Sequence, residues 1–173
     1  MLMKLVQQGD KDAYNRLVLK YMDTAILFAN SFVKNYDTAQ DIVQDCFVKI
    51  YINCDRYHFN YTFKTFLFHV VRNRCIDVLR VESPGKIVEF SPIFEVQDQY
   101  TPENLLLKKE MLSNIFHQLD QLPEHYKTAI YLYSVEQMSY QQIAKIMKKT
   151  VSQIKIIIYR GRQKLKKQVK GGL

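Results

Sequence analysis

Residues 139–167 read SYQQIAKIMKKTVSQIKIIIYRGRQKLKK and carry the same helix-start signal twice. Ser139-Tyr140-Gln141-Gln142 and Thr150-Val151-Ser152-Gln153 both match the S/T-x-x-Q capping box. In that box a hydroxyl and an amide side chain reciprocally satisfy free backbone donors at a helix start. The boxes lie eleven residues apart, so the first helix is short, about Tyr140 to Met147, with Ile143, Ala144 and Met147 apolar. Lys148-Lys149 then turns the chain into a longer, basic second helix. This is the spacing of a helix-turn-helix, whose first helix crosses the phosphate backbone while the second enters the major groove by its N-terminal turns. Val151, Ile154, Ile158 and Leu165 are expected to pack inward. Ser152, Gln153, Lys155, Tyr159, Arg160 and Arg162 stand on the other face, a mix of hydrogen-bonding and phosphate-neutralising groups suited to DNA. Gly161 permits close helix packing at a cost in helix propensity. An ordinary amphipathic hairpin with a basic surface is the plainer alternative; two boxes, a short first helix and the local charge together favour DNA binding.

That local charge is lopsided. The 173 residues hold 25 Lys+Arg and 17 Asp+Glu, a net charge of +8. From Gln137 to Leu173 there are ten Lys/Arg and no Asp/Glu, leaving 15 basic and 17 acidic side chains in residues 1–136. A basic stripe at one helical end is the electrostatic footprint of polyanion binding, although a solvated Lys-rich tail has the same composition.

Upstream, residues 81–103, VESPGKIVEFSPIFEVQDQYTPE, carry three of the four prolines and five acids with Lys86 as the one base, and read as a linker. About 80 residues precede it and 70 follow it, each enough for a small helical bundle. The expectation is an all-α chain with two small helical domains, 1–80 and 102–173, joined by a flexible acidic linker over 81–101.

In the first block Ala13, Leu17, Tyr21, Ile26, Phe28, Ala29, Phe32 and Val33 recur at three- and four-residue steps, as an amphipathic helix or a broken pair requires, with Asp10 as N-cap. Asp37 is expected to cap a second helix with Ile42, Val43, Phe47, Ile50 and Tyr51 on its apolar face and Asp41, Gln44, Asp45 and Lys49 pointing away. Thr62 opens a third helix through Arg80, burying Phe63, Phe66, Leu67, Val70, Val71 and Leu79. The aromatic loop CDRYHFNYTF lies between these two. After the linker, Thr101-Pro102-Glu103 signals a helix start continued by Leu105, Leu112, Phe116 and Leu119, and Pro123-Glu124 starts another through Tyr126, Ala129, Ile130 and Tyr133.

With these segments in place the chain resembles the sigma factors of bacterial RNA polymerase, in the two-domain extracytoplasmic-function (ECF) form. GDKDAYNRLVLKY, DTAQDIVQDCFVKIY and FKTFLFHVVRNRCIDVLR resemble successive parts of the promoter-melting sigma domain two. LPEHYKTAIYLYSVEQMSYQQIAKIMKKTVSQIKIIIYRGRQKLKK resembles sigma domain four, which reads the minus-thirty-five element. The resemblance implies that Asp41, Gln44, Asp45 and Phe47 belong to the surface that docks on core RNA polymerase. For Phe47, simple core packing is an equal alternative.

The loop from Asp55 to Thr62 and the following helix resemble the segment that captures unstacked minus-ten bases. Opening a duplex without fuel requires surfaces that replace lost stacking, worth roughly 1–3 kcal/mol per base on an aromatic platform. Tyr57, Phe59, Tyr61 and Phe63 are candidates for those surfaces, and Arg72, Asn73 and Arg74 for phosphates or a base edge. Two departures stand out: Phe66 replaces the usual Trp, and Ile156-Ile157 occupy recognition-helix positions where many members carry a small polar residue and an arginine. The acidic linker matches the family segment that threads toward the RNA exit path.

The resemblance thus implies a transcription initiation factor that binds core polymerase and promoter DNA and assists strand opening. An anti-sigma partner is expected, since many members are held inactive by one. An ordinary helix-turn-helix repressor or activator would explain the second domain but not the DIVQDCF surface or the aromatic loop. An enzyme ranks last: no Gly-rich phosphate loop or H-E-x-x-H occurs, and His58, His69, His117 and His125 lack metal-ligand spacing. Cys46, Cys54 and Cys75, without a C-x-x-C pair, fit reduced thiols, and neither metal nor cofactor is expected. No apolar run reaches the roughly 18 residues of a membrane span, and the N-terminus turns polar too early for a signal peptide, so a cytoplasmic location without membrane insertion is expected.

Overall fold

The computed structural model describes residues 2–82, 119 and 122–171. All regular structure among these residues is helical. The chain divides into two compact units, Met1–Pro84 and Gly85–Leu173. The expected linker over 81–101 lies outside the described residues apart from its first two positions, as does the helix expected from Thr101 through Phe116.

Unit one contains α1 (Leu2–Gln7), α2 (Lys11–Val33), α3 (Tyr36–Ile52), a single 3-10 turn at Cys54–Arg56, and α4 (Phe63–Glu82). The Asp10 carboxylate accepts a hydrogen bond from the Ala13 amide at 2.9 Å, as its N-cap role requires. From there α2 runs as one continuous 23-residue helix, not a broken pair. Lys34, left-handed at φ 57°, ends it by donating its N–H to the Asn30 carbonyl. This reversal leaves Asn35 extended, and the Asn35 side chain accepts from the Thr38 amide at 2.8 Å. Asn35 is therefore the cap of α3, correcting the expectation for Asp37. Asp37 sits one residue inside, where its charge still favours the helix N-terminus.

The unit-one core joins α2, α3 and α4. Phe28 packs on Phe68 with ring centroids 4.8 Å apart, both fully buried. Leu67, Val71 and Cys75 from α4 meet Ile42, Val43, Cys46 and Phe47 as buried faces of the same unit. Phe68 and Cys75 were missing from the expected face of α4, while Phe66, Val70 and Leu79 are only partly buried. Burial pushes the Cys46 thiol up to about 12 and the Cys75 thiol higher still, so both behave as small apolar groups.

Unit two contains α5 (Glu124–Ser134), α6 (Tyr140–Met147) and α7 (Val151–Gly171). Pro123 precedes α5 as its cap residue, with its carbonyl accepting from the Tyr126 and Lys127 amides. Leu119, Leu122 and Ile130 form a buried cluster against which Tyr126 and Leu165 pack. Tyr131 and Leu132, absent from the expected apolar face, are buried as well. The Tyr131 hydroxyl donates to Glu136 at 3.3 Å, which satisfies it inside the unit.

Candidate nucleic-acid and polymerase interfaces

Both capping boxes close. The Ser139 hydroxyl accepts from the Gln142 amide at 3.3 Å while the Ser139 amide donates to the Gln142 side chain at 2.9 Å. The Thr150 amide donates to the Gln153 side chain at 2.9 Å, and the Gln153 amide donates to the Thr150 hydroxyl at 3.2 Å. Between them Lys148 is left-handed at φ 53°, and the Lys149 amide reaches back to the Ala144 carbonyl at 3.0 Å. That pairing satisfies an end carbonyl of α6 and sets the sharp turn into α7.

Three features fix the rotation of α7 about its axis. Ile154 and Ile158 are buried, and a Cβ on Gly161 would lie 2.8 Å from Ile130 Cδ1 and 3.2 Å from Tyr126 Cβ. Helix α7 therefore sits so close to α5 that a side chain at 161 fits only if the tip of Ile130 moves. The consequence is that Ser152, Gln153, Lys155, Tyr159, Arg160 and Arg162 are all solvent-exposed, as their assignment to a DNA face demands. Val151, expected inside, is only half-buried.

The six are not equivalent. Tyr133 of α5 and Tyr140 of α6 stack with centroids 5.2 Å apart and an interplanar angle of 12°. The Arg162 guanidinium lies 4.9 Å from the Tyr133 ring and the Lys155 ammonium 5.9 Å from the Tyr140 ring. These two cations flank the aromatic pair, which holds them on one edge of the face by cation–π attraction. A hydrogen bond with Tyr133 raises the Tyr140 hydroxyl above its ordinary range. The sequence gives no sign of this stack, because its partners lie on three different helices.

On unit one, Asp41, Gln44 and Asp45 are exposed on α3, and they continue at helical steps into Val48 and Ile52, 56% and 70% exposed. The polar residues and two apolar ones thus share one outer stripe. Phe47 does not join them. It is 3% exposed, its carbonyl accepts from the Tyr14 hydroxyl, and its ring meets Tyr14 and Phe63. Its side chain backs the stripe from inside, which corrects its assignment as a contact, because the apolar face of α3 turns it into the core.

The aromatic loop separates in the same way. Tyr57, 3% exposed, donates its hydroxyl to the Tyr61 carbonyl at 2.6 Å and sets its ring edge-on to Phe59 and Phe66. Burial raises the Tyr57 hydroxyl above its ordinary range. Phe63 is also buried, against Tyr21 and Phe47. Phe59 is 39% exposed and Tyr61 half-buried, stacked on Phe66. The loop therefore offers Phe59 and Tyr61 as ring surface, on a base made by Tyr57 and Phe63. Helix α1, not expected from the sequence, holds this base: the Gln7 amide donates to the carbonyls of Cys54 at 2.8 Å and Tyr57 at 3.2 Å.

Arg72, Asn73 and Arg74 are half-buried on α4. Asn73 pairs with His69 at 3.1 Å, and Arg74 reaches Asp45 of α3 at 3.8 Å. Among the described residues no group of three His, Cys, Asp or Glu side chains is arranged to hold a metal, and no helix is long and apolar enough to cross a membrane.

Comparison with known proteins assigns both units. Residues 17–84 match the family described as Sigma-70 region 2, and residues 112–165 match Sigma-70, region 4. The ECF RNA polymerase sigma factor SigW of Bacillus subtilis is 30% identical over 178 residues, covering 96% of this chain and 94% of the relative. The ECF RNA polymerase sigma-E factor of Haemophilus influenzae is 31% identical over 177 residues, covering 97% and 93%. The fold is shared with CnrH, solved with the cytosolic domain of CnrY, at a TM-score of 0.74 and 20% identity over 98% of this chain and 96% of that one. It is shared also with the sigma factor RpoE of Bartonella quintana, solved with the anti-sigma factor NepR, at 0.70 and 24% over 93% and 98%. Two sigma-70 regions in order, and relatives matched over nearly their whole length, make this chain a member of the ECF family of RNA polymerase sigma factors, which are transcription initiation factors.

Proposed function

We propose that the two units divide the work of initiation: unit one docks on core RNA polymerase through the outer stripe of α3 and captures minus-ten bases on its aromatic loop, while α7 reads the minus-thirty-five element. The observation that carries this reading is the separation of exposed from buried residues on three elements. The docking candidates Asp41, Gln44 and Asp45, the rings of Phe59 and Tyr61, and the six polar residues of α7 all reach solvent, each from a packed base. Polymerase supplies the chemistry, and no bond is made or broken by side chains of this chain. A cytoplasmic location follows from such a role.

Regulation by an anti-sigma partner belongs to the same proposal, since the sigma factor RpoE, which shares this fold, was solved with the anti-sigma factor NepR. The decisive experiment is size-exclusion chromatography of the purified chain with sigma-free core polymerase at moderate salt. Stoichiometric co-elution is expected. Failure with both proteins folded and free of inhibitor would favour an ordinary helix-turn-helix regulator.

A further inference from the structure

Resting on the reading of α7 as the promoter-reading helix, we propose that Ile156 is a specificity residue that packs on the 5-methyl group of a thymine in the minus-thirty-five element. Ser152, Ile156 and Tyr159 follow one another at helical steps along the side of α7 opposite the buried Ile154, Ile158 and Gly161. That register is not free to slip, because Gly161 sits against Ile130 and Tyr126. Ile156 is 50% exposed and Tyr159 65% exposed, whereas Ile157 turns to the half-buried flank. An apolar, β-branched side chain here gains nothing from solvent and lowers helix propensity. It gains only on contact with an apolar partner.

The surroundings identify that partner. The segment from Gln137 to Leu173 carries ten Lys/Arg and no Asp/Glu, a match to a polyanion and a poor match to an ordinary protein surface. Ile156 lies in the second turn of α7, the part of a recognition helix that enters the major groove. The edges displayed there are hydrogen-bond donors and acceptors except for one apolar group, the thymine methyl. Ser152 and Arg160 on either side supply hydrogen bonds to neighbouring positions, so the isoleucine adds a preference for thymine to a polar reading frame.

Deoxyuridine tests this directly because it lacks only that methyl. Holoenzyme reconstituted from the full chain and core polymerase would first select promoter duplexes from a pool randomised upstream of the start site. Each thymine of the recovered minus-thirty-five element would then be replaced singly by deoxyuridine. With the natural chain, one position should lose occupancy by about three- to five-fold, the effect of one buried methyl. Ile156→Ala should bind the two duplexes equally, and Ile156→Val should retain most of the difference. Equal binding at every thymine by the natural chain, or an undiminished difference in Ile156→Ala, would overturn the assignment while leaving the sigma reading intact. If the holoenzyme selected no sequence at all, the sigma reading would fall and this inference with it.

Discussion

Arg74 of α4 lies 3.8 Å from Asp45 of α3, so a residue assigned to minus-ten DNA and one assigned to polymerase docking form a single ion pair. Their side chains are 41% and 60% exposed, and a solvated pair of this kind contributes less than about 1 kcal/mol. Its importance is positional: binding at either face alters the charge available at the other. Asp45→Arg should therefore abolish co-elution with core polymerase while leaving the melting temperature nearly unchanged. Arg74→Ala should retain co-elution and reduce open-complex formation, followed by permanganate reactivity of unpaired thymines. Unchanged co-elution of Asp45→Arg and Gln44→Ala would remove this docking site.

The loop aromatics should split by burial. Tyr57→Ala removes a buried ring and its hydrogen bond to Tyr61, and should destabilise unit one by about 3 kcal/mol in denaturant titrations. Phe59→Ala removes a ring already partly in solvent and should leave stability within about 1 kcal/mol. It should nonetheless slow promoter opening. Equal destabilisation by both variants would make the loop simple core.

At Gly161 two effects oppose one another. Alanine would gain about 1 kcal/mol of helix propensity, but its methyl meets Ile130 Cδ1 at 2.8 Å and Tyr126 Cβ at 3.2 Å. The Ile130 tip can move, so Gly161→Ala should be near neutral, whereas Gly161→Val should cost about 1–3 kcal/mol by overpacking. Combining Gly161→Ala with Ile130→Val should restore the contact. Urea unfolding of the four proteins measures the coupling.

Thr150→Ala breaks the box that starts α7 and should cost about 1 kcal/mol. Promoter binding should fall further than this figure implies, since the frayed turn carries Ser152 and Gln153. Arg160→Ala should reduce promoter-directed transcription without affecting polymerase association. Loss of association in Arg160→Ala would contradict the division between units.

The thiols give a test by pH. Burial raises the Cys46 and Cys75 thiols, to about 12 for Cys46, so both stay protonated and shielded in the folded chain at pH 8. Cys54 is only half-buried. Brief alkylation should add a single label, resolved by intact-mass spectrometry, and two more after unfolding. In the same sense, a raised thiol pKa means the unfolded chain releases protons first, so stability should fall as pH rises above the unfolded thiol range.

Much of this protein is written locally. The boxes at Ser139 and Thr150 mark the starts of α6 and α7 to the residue, because a cap is a contact between positions three apart. Asp10 marks the start of α2 for the same reason, Pro123-Glu124 marks that of α5 by a proline followed by an acid in the first turn, and three- to four-residue periodicity placed Asp41, Gln44 and Asp45 outside. Asn35 escaped because its role depends on the left-handed Lys34 before it, which no local pattern announces.

Tertiary packing decided the rest. Phe47, Tyr57 and Phe63 have the same ring chemistry as Phe59, and only the meeting of α2, α3 and α4 with the loop divides base from surface. Tyr133, Tyr140, Lys155 and Arg162 become one cluster only when α5, α6 and α7 are packed. From sequence alone came the order of the main helices of each unit, though not α1, the charge of each segment and the resemblance to the sigma family, since these depend on neighbours along the chain. Which side chains reach a partner was decided in three dimensions, because exposure is what remains after elements distant in sequence have buried one another.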